Sequence, residues 1–166
     1  MMRAVLFDLF DTLVSDLGYH LQRPGPPMAA RLGVDEDAFG ALWRAQWRAR
    51  NTGALPDYRA ALREACHALG VEPDPSAIEA IYTQRVTEHA AILTDVEPAV
   101  LHMLAALREK GIPYGLVSNC DPVEVMAWGE SPLATLISAP VFSWQVGYVK
   151  PDREIYDLGC ARLGTA

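Results

Sequence analysis

The first apolar run of the chain, residues 3–7 (RAVLF), is short, shows no alternation and stops abruptly at Asp8. Such a run suits a parallel strand covered on both faces, because alternation appears only where one face meets water. A second run, residues 114–117 (YGLV), stops just as abruptly at Ser118-Asn119. The stretch 136–142 can supply a third strand. Between the first two runs, from residue 15 to about 93, the spacing is helical and no strand is evident. Residues 23–27 (RPGPP) read as a rigid loop. Asp35 can cap a helix reaching about Asn51, with Phe39, Leu42, Trp43 and Trp47 as its apolar face. Gly53 and Pro56 break it. Asp57 starts a helix carrying Leu62, Cys66 and Leu69 that stops at Gly70. Asp74-Pro75 starts a third, striped by Ile78, Ile81, Tyr82 and Val86.

Beyond residue 94 the texture alternates. A helix through Val100, Leu101, Leu104 and Leu107 ends at Gly111 and precedes the second strand. Another helix is expected to begin near Pro122, and Pro151 opens a last one from Arg153 to Leu163. Strand and helix in turn predict a parallel α/β sheet, with a helical insertion after its first strand. At 166 residues this is one domain carrying an insertion.

Composition narrows the partners. The chain is 51% hydrophobic and 21% charged, enough to bury a core. Its net charge of −7 disfavours a phosphate backbone, so no nucleic-acid partner is expected. Cys66, Cys120 and Cys160 are widely spaced and form no CxxC pair, which argues against a zinc ribbon or disulfide framework. Residues 4–7 are too short for a signal peptide and no run could span a bilayer. The expectation is a cytoplasmic protein with no membrane partner.

Three polar clusters lie beside these strand ends and the last helix: Asp8-Leu9-Phe10-Asp11-Thr12-Leu13, Ser118-Asn119, and Lys150-Pro151-Asp152. The carboxyl end of a parallel strand is where open α/β sheets place their chemistry. A carboxylate there can attack carbon or phosphorus and form an ester or acyl phosphate. A hydroxyl and an amide beside it can hold anionic oxygens, and a lysine supplies fixed positive charge. Singly, each cluster is equally a helix cap, a turn or a solvated lysine. Their joint occurrence in order favours chemistry.

The segments FDLFDTLV, LVSNCD and GYVKPDREIY resemble the first three motifs of the haloacid dehalogenase (HAD) superfamily. The helical stretch between the first two resembles that family's cap. The resemblance implies an α/β, Rossmann-like parallel-sheet core at 1–14 and 94–166, and an α-helical cap at 15–93. It implies Asp8 as nucleophile, Lys150 balancing charge, and Thr12, Ser118 and Asn119 positioning substrate oxygens. Where the family binds Mg²⁺, the ligands here would be the Asp8 carboxylate and the Phe10 carbonyl.

Two departures matter. Phosphatases of the family carry an acid–base aspartate two residues after the nucleophile, and Phe10 stands there. Such a group is typically worth ~10² to 10⁴ in rate. A halide leaving group needs no proton, and the family's dehalogenases carry an aromatic residue at this position, usually followed by glycine where this chain has Asp11. The fourth, acidic motif would follow the last helix, beyond Ala166. The neighbour it supplies to the first strand would be missing, so that strand is expected to keep an open edge that permits self-association.

The expected activity is hydrolysis of a small anionic molecule, a phosphate ester or a 2-haloacid, through a covalent intermediate on Asp8. Mg²⁺ belongs to the phosphatase alternative, and no cofactor to the dehalogenase. The alternative of another class is a non-catalytic binding or assembly protein, or an inactive fragment. Arg44 and Arg48, at i and i+4, are candidates to clamp a substrate carboxylate, Arg44 first. The four histidines form no ligand-spaced cluster. Trp43 and Trp47 read as packing inside the helical stretch, and Tyr156 as packing on the last helix.

Overall fold

The computed structural model describes residues 4–15 and 27–164. Residues 23–26 of the loop expected at 23–27, Arg23 among them, lie outside the described residues. The core is a parallel sheet of β1 (Val5–Phe7), β2 (Tyr114–Ser118) and β3 (Val141–Phe142), in that spatial order. Phe7 pairs with Leu116, and Ser118 with Phe142, so all three strands deliver their carboxyl ends to one side. β2 is buried from Gly115 to Ser118, which is why its sequence shows no alternation. β3 is shorter than expected. Pro140 has no N–H to give to a ladder, and pairing begins only after it. Among the described residues β1 is an edge strand.

Helices α1 (Met28–Leu32), α2 (Glu36–Ala45), α3 (Trp47–Asn51), α4 (Tyr58–Ala68) and α5 (Pro75–Thr94) lie between β1 and β2 in the chain. The expected caps form. Asp35 accepts from the Ala38 N–H, Asp57 from Arg59 and Ala60, and Asp74 from Ser76. The helix expected to run from Asp35 to Asn51 breaks at Gln46, and α1 was not anticipated. Phe39, Tyr58, Leu62, Cys66, Ile78 and Ile81 make a core of their own. Trp43 stacks on Phe39 at 5.6 Å inside it, whereas Trp47 is 41% exposed and does not pack there.

The sheet's core gathers Leu9, Leu13, Ile92, Leu93, Leu104, Leu116, Leu133 and Ile137. α5 joins the two cores: its first turns pack with Phe39 and Leu62, its last with the sheet. α6 (Pro98–Glu109) then returns the chain to the start of β2. The helix expected near Pro122 is absent. Asp121 and Glu124 do form its start signal, a capping box in which Asp121 Oδ1 accepts from Val123 and Glu124 while Glu124 accepts from the Asp121 N–H. Beyond it the chain makes only turns and two 3-10 segments, the second opened by Pro132.

α7 (Ser143–Val146) comes directly after β3, and α8 (Arg153–Arg162) packs back on the sheet through Gly159. A Cβ at Gly159 would lie 2.9 Å from Val117 Cγ2 and 3.0 Å from Leu6 Cδ1. Tyr156, on the same helix, is 40% exposed and is not a packing residue. No single helix among the described residues is long and apolar enough to cross a membrane.

The helical segment is pinned to the core by a largely buried charge cluster. Arg85 of α5 donates to Asp121 at 3.0 Å and to Glu124 at 2.8 Å, and its guanidinium lies over Tyr58. Burial opposes the charge on Arg85, but Tyr58, Glu124 and Asp121 outweigh it and hold its pKa above the ordinary arginine value. His89, one turn on, is buried and hydrogen-bonds the Arg85 carbonyl through Nδ1.

Two outcomes are expected. Arg85→Met removes the guanidinium that two carboxylates share and should cost about 3–5 kcal/mol in denaturant unfolding; a loss below ~1 kcal/mol would mean that water or the neighbouring groups already screen the cluster. Gly159→Ala should lower stability by about 1–3 kcal/mol through overpacking, and an unchanged unfolding midpoint would show that the helix can shift away from the sheet.

Candidate active site

The run of β1 ends at Asp8, whose Oδ1 accepts from the Leu9 N–H at 2.8 Å. The chain then turns sharply. The Leu9 carbonyl accepts from Thr12, Leu13 and Val14, and Leu13 and Val14 drop into the sheet's core. The turn places Asp11 at φ +55°, in the left-handed region that favours glycine and tolerates aspartate. Asp8 itself stays exposed at the strand end.

Lys150, 142 positions later, arrives at the same point: its Nζ is 2.5 Å from Asp8 Oδ1. Among the described residues no hydrogen bond engages Asp8 Oδ2. Ser118 ends the adjacent strand, is fully buried, and among the described residues its Oγ has no hydrogen-bond partner. A buried hydroxyl without a partner is costly unless a ligand completes it. Thr12 is exposed on the turn after Leu9.

The Asn119 side chain is engaged by the loop of Lys150. Its Oδ1 accepts from the Lys150 N–H at 2.7 Å and its Nδ2 donates to the Lys150 carbonyl at 3.1 Å. The amide side chain is therefore committed to the lysine's own peptide, and stitches the loop after β2 to the loop that carries Lys150. Beside it, Ser143 Oγ bridges the Cys120 N–H and carbonyl. Burial pushes the Cys120 thiol well up, so it is no rival nucleophile. Asp152 accepts from the Val149 N–H and from Arg48, and these contacts, Arg48 first, hold its carboxyl below the usual range.

Arg44 is exposed in the last turn of α2, and its guanidinium lies back along its own helix over Gly40. Among the described residues no hydrogen bond or ion pair joins it to Asp8, Ser118 or Lys150. The interruption at Gln46 leaves Arg44 in the last turn of α2 and Arg48 in α3, where Arg48 pairs with Asp152. Arg85 and the capping box at Asp121 and Glu124 were missed. The signal was present: Arg85 and His89 fall on the apolar stripe of α5 between Ile81 and Ile92, where a charged residue implies a buried partner.

Phe10 is half-buried with its ring edge-on to His89, centroids 5.9 Å apart. It brings no ionisable group to the position where family phosphatases, by the resemblance, carry their acid. Among the described residues no group of three or more His, Cys, Asp or Glu side chains is placed to hold a metal ion. Asp8 and the Phe10 carbonyl would offer Mg²⁺ two oxygens where it prefers octahedral coordination, and Asp8 Oδ1 is already engaged by Lys150. The described residues do not fit a magnesium site.

Solved structures share this architecture. An L-2-haloacid dehalogenase aligns at TM-score 0.57 and 23% identity, over 99% of this chain and 74% of that one. The L-2-haloacid dehalogenase from Xanthobacter autotrophicus with chloropropionic acid covalently bound aligns at 0.55 and 19%, over 100% and 66%. A HAD family enzyme from Bacteroides thetaiotaomicron, a variant in complex with magnesium and inorganic phosphate, aligns at 0.58 and 15%, over 99% and 80%. The chain thus spans two thirds to four fifths of these relatives. At such identities the likeness shows the fold. No curated relative matches the sequence. A family model described as haloacid dehalogenase-like hydrolase matches residues 2–166, and by that match the chain belongs to the haloacid dehalogenase-like hydrolases.

Proposed function

We propose that the protein hydrolyses a small 2-haloacid through a covalent ester on Asp8, with residues 15–93 acting as a cap over a core of 1–14 and 94–166. One observation carries the reading: the Lys150 ammonium sits on the Asp8 carboxylate, and the residue two positions after Asp8 is Phe10, its ring packed against His89, rather than a second acid. Two like charges at ~4 Å repel by about 4 kcal/mol at an effective dielectric of ~20. A carboxylate nucleophile facing a carboxylate substrate therefore needs a fixed cation, and Lys150 supplies it. The buried Ser118 hydroxyl is suited to a substrate oxygen. In the first step an Asp8 oxygen forms a bond to the halogen-bearing carbon, and the halide leaves with its electron pair, needing no proton. Water then attacks the Asp8 carboxyl carbon, releasing the 2-hydroxy acid and a proton and restoring the carboxylate. No step requires an acid at Phe10 or a metal. A cytoplasmic setting belongs to the same reading and is supported by three cysteines that form no disulfide. So does association along the edge of β1, supported by its apolar residues.

Halide release from chloroacetate and phosphate release from p-nitrophenyl phosphate, measured on the purified protein, test this. Chloroacetate should be turned over, Asp8→Asn should reduce release to background, and Phe10→Asp should not raise it. Ser118→Ala should raise KM by about 2- to 10-fold, the worth of one hydrogen bond. Halide release that survives Asp8→Asn would reject the mechanism. Phosphate release raised by Phe10→Asp would move the assignment to a phosphatase. Turnover of neither substrate would favour a non-catalytic binding protein.

A further inference from the structure

Lys150 can serve Asp8 only if its loop is held, and the hold comes from two sides. Asn119 grips the lysine's own N–H and carbonyl from the end of β2. On the other side Asp152 folds back on its own turn: its N–H donates to the Val149 carbonyl at 2.7 Å, and its Oδ2 accepts from the Val149 N–H at 3.1 Å. The same carboxylate receives Arg48 of α3, Nη2 to Oδ2 at 2.7 Å and Nη1 to Oδ1 at 3.5 Å. Two guanidinium nitrogens on two carboxylate oxygens fix orientation as well as distance. This is also where the helical segment comes into backbone contact with the core. A Cβ at Gly53, just past α3 and at φ +74°, would stand 2.3 Å from the Trp144 carbonyl oxygen.

We propose that Arg48 is a positioning residue which, acting through Asp152, holds the loop that presents Lys150 to Asp8, so that docking of the helical segment sets the geometry of the Lys150–Asp8 pair. Arg48 touches neither member of that pair. Its side chain is 60% exposed, and an ion pair in that setting adds little to global stability. The consequence of the contact is therefore local. It orders residues 149–152, and does so only while α3 is seated against α7. The effect on turnover rests on the proposed dehalogenase activity; the effect on loop order does not.

The test compares Arg48→Ala, Asp152→Asn, the double variant and Arg48→Lys. Hydrogen exchange at the Val149 amide, read without substrate, reports the hold directly. Exchange there should quicken by about tenfold in Arg48→Ala and in Asp152→Asn, partly recover in Arg48→Lys, and be no faster in the double variant than in either single, while the thermal midpoint stays within the range of a surface substitution. With chloroacetate, kcat should fall by about 10- to 100-fold, the scale of a small misplacement of a reacting group, with KM held within about twofold. Unchanged exchange at Val149 in Arg48→Ala overturns the proposal whatever the turnover. So does quickened exchange with kcat intact in a protein whose Asp8→Asn variant is dead. Halide release that persists in Asp8→Asn defeats the functional reading instead, and leaves the exchange result to decide the role of Arg48.

Discussion

The structure turns on one ion pair, the Lys150 ammonium against the Asp8 carboxylate at 2.5 Å, made between residues from opposite ends of the chain. A parallel sheet makes this meeting possible. Because β1, β2 and β3 all run the same way, their carboxyl ends share one edge, and the residues after each strand are delivered there. The short strands with buried β2 at their centre, the return helix α6 and the tight packing of α8 on Gly159 are the means by which that edge is built. The pair is tolerated because Asp8 remains in contact with water while Lys150 is mostly covered. A fully buried pair would lose more in desolvation than it gains in attraction.

Around the pair the chain is organised as a set of stitches between loops. Asn119 ties the loop after β2 to the loop of Lys150, Ser143 ties it to α7, and Asp152 closes the turn on Val149. The helical segment adds two arginines from outside, Arg85 on the Asp121–Glu124 turn and Arg48 on Asp152. They differ in physical character. Arg85 lies in a largely buried cluster whose disruption strands charges, so it belongs to folding. Arg48 is exposed, so its contribution is to local order. The two contacts reach both loops that frame Asp8, which is how a helical insertion with its own core can influence the sheet's edge.

Much of this was legible in the sequence. Apolar runs that end abruptly in polar residues marked Asp8 and Ser118, and three motifs in order brought Lys150 to the same edge. The Asp-led helix starts at Asp35, Asp57 and Asp74 were legible because capping is local. The features that escaped depended on distant partners or on small breaks. The hold of Asn119 on the Lys150 peptide escaped because nothing local shows that its amide will meet a peptide 31 residues away. Arg48 looked like a candidate substrate clamp because nothing local shows that it will meet Asp152, 104 residues away. Asp11 stood out as a departure from glycine, and the structure shows the physical reason for the preference: the turn requires a positive φ. The helix expected at Pro122 had a correct start and no body: the capping box formed, and turns and 3-10 segments follow it.

In the proposed reaction the Asp8 carboxylate itself forms and loses a bond to the substrate. A single turnover of chloroacetate in H₂¹⁸O with protein in excess tests this most directly, when it is read by mass spectrometry of the peptide containing Asp8. If Asp8 forms the ester and water attacks its carboxyl carbon, the label enters the Asp8 side chain and the glycolate released carries unlabelled oxygen. Label found in the glycolate, with the Asp8 peptide unshifted, would mean that water attacks the substrate directly and would contradict the covalent mechanism.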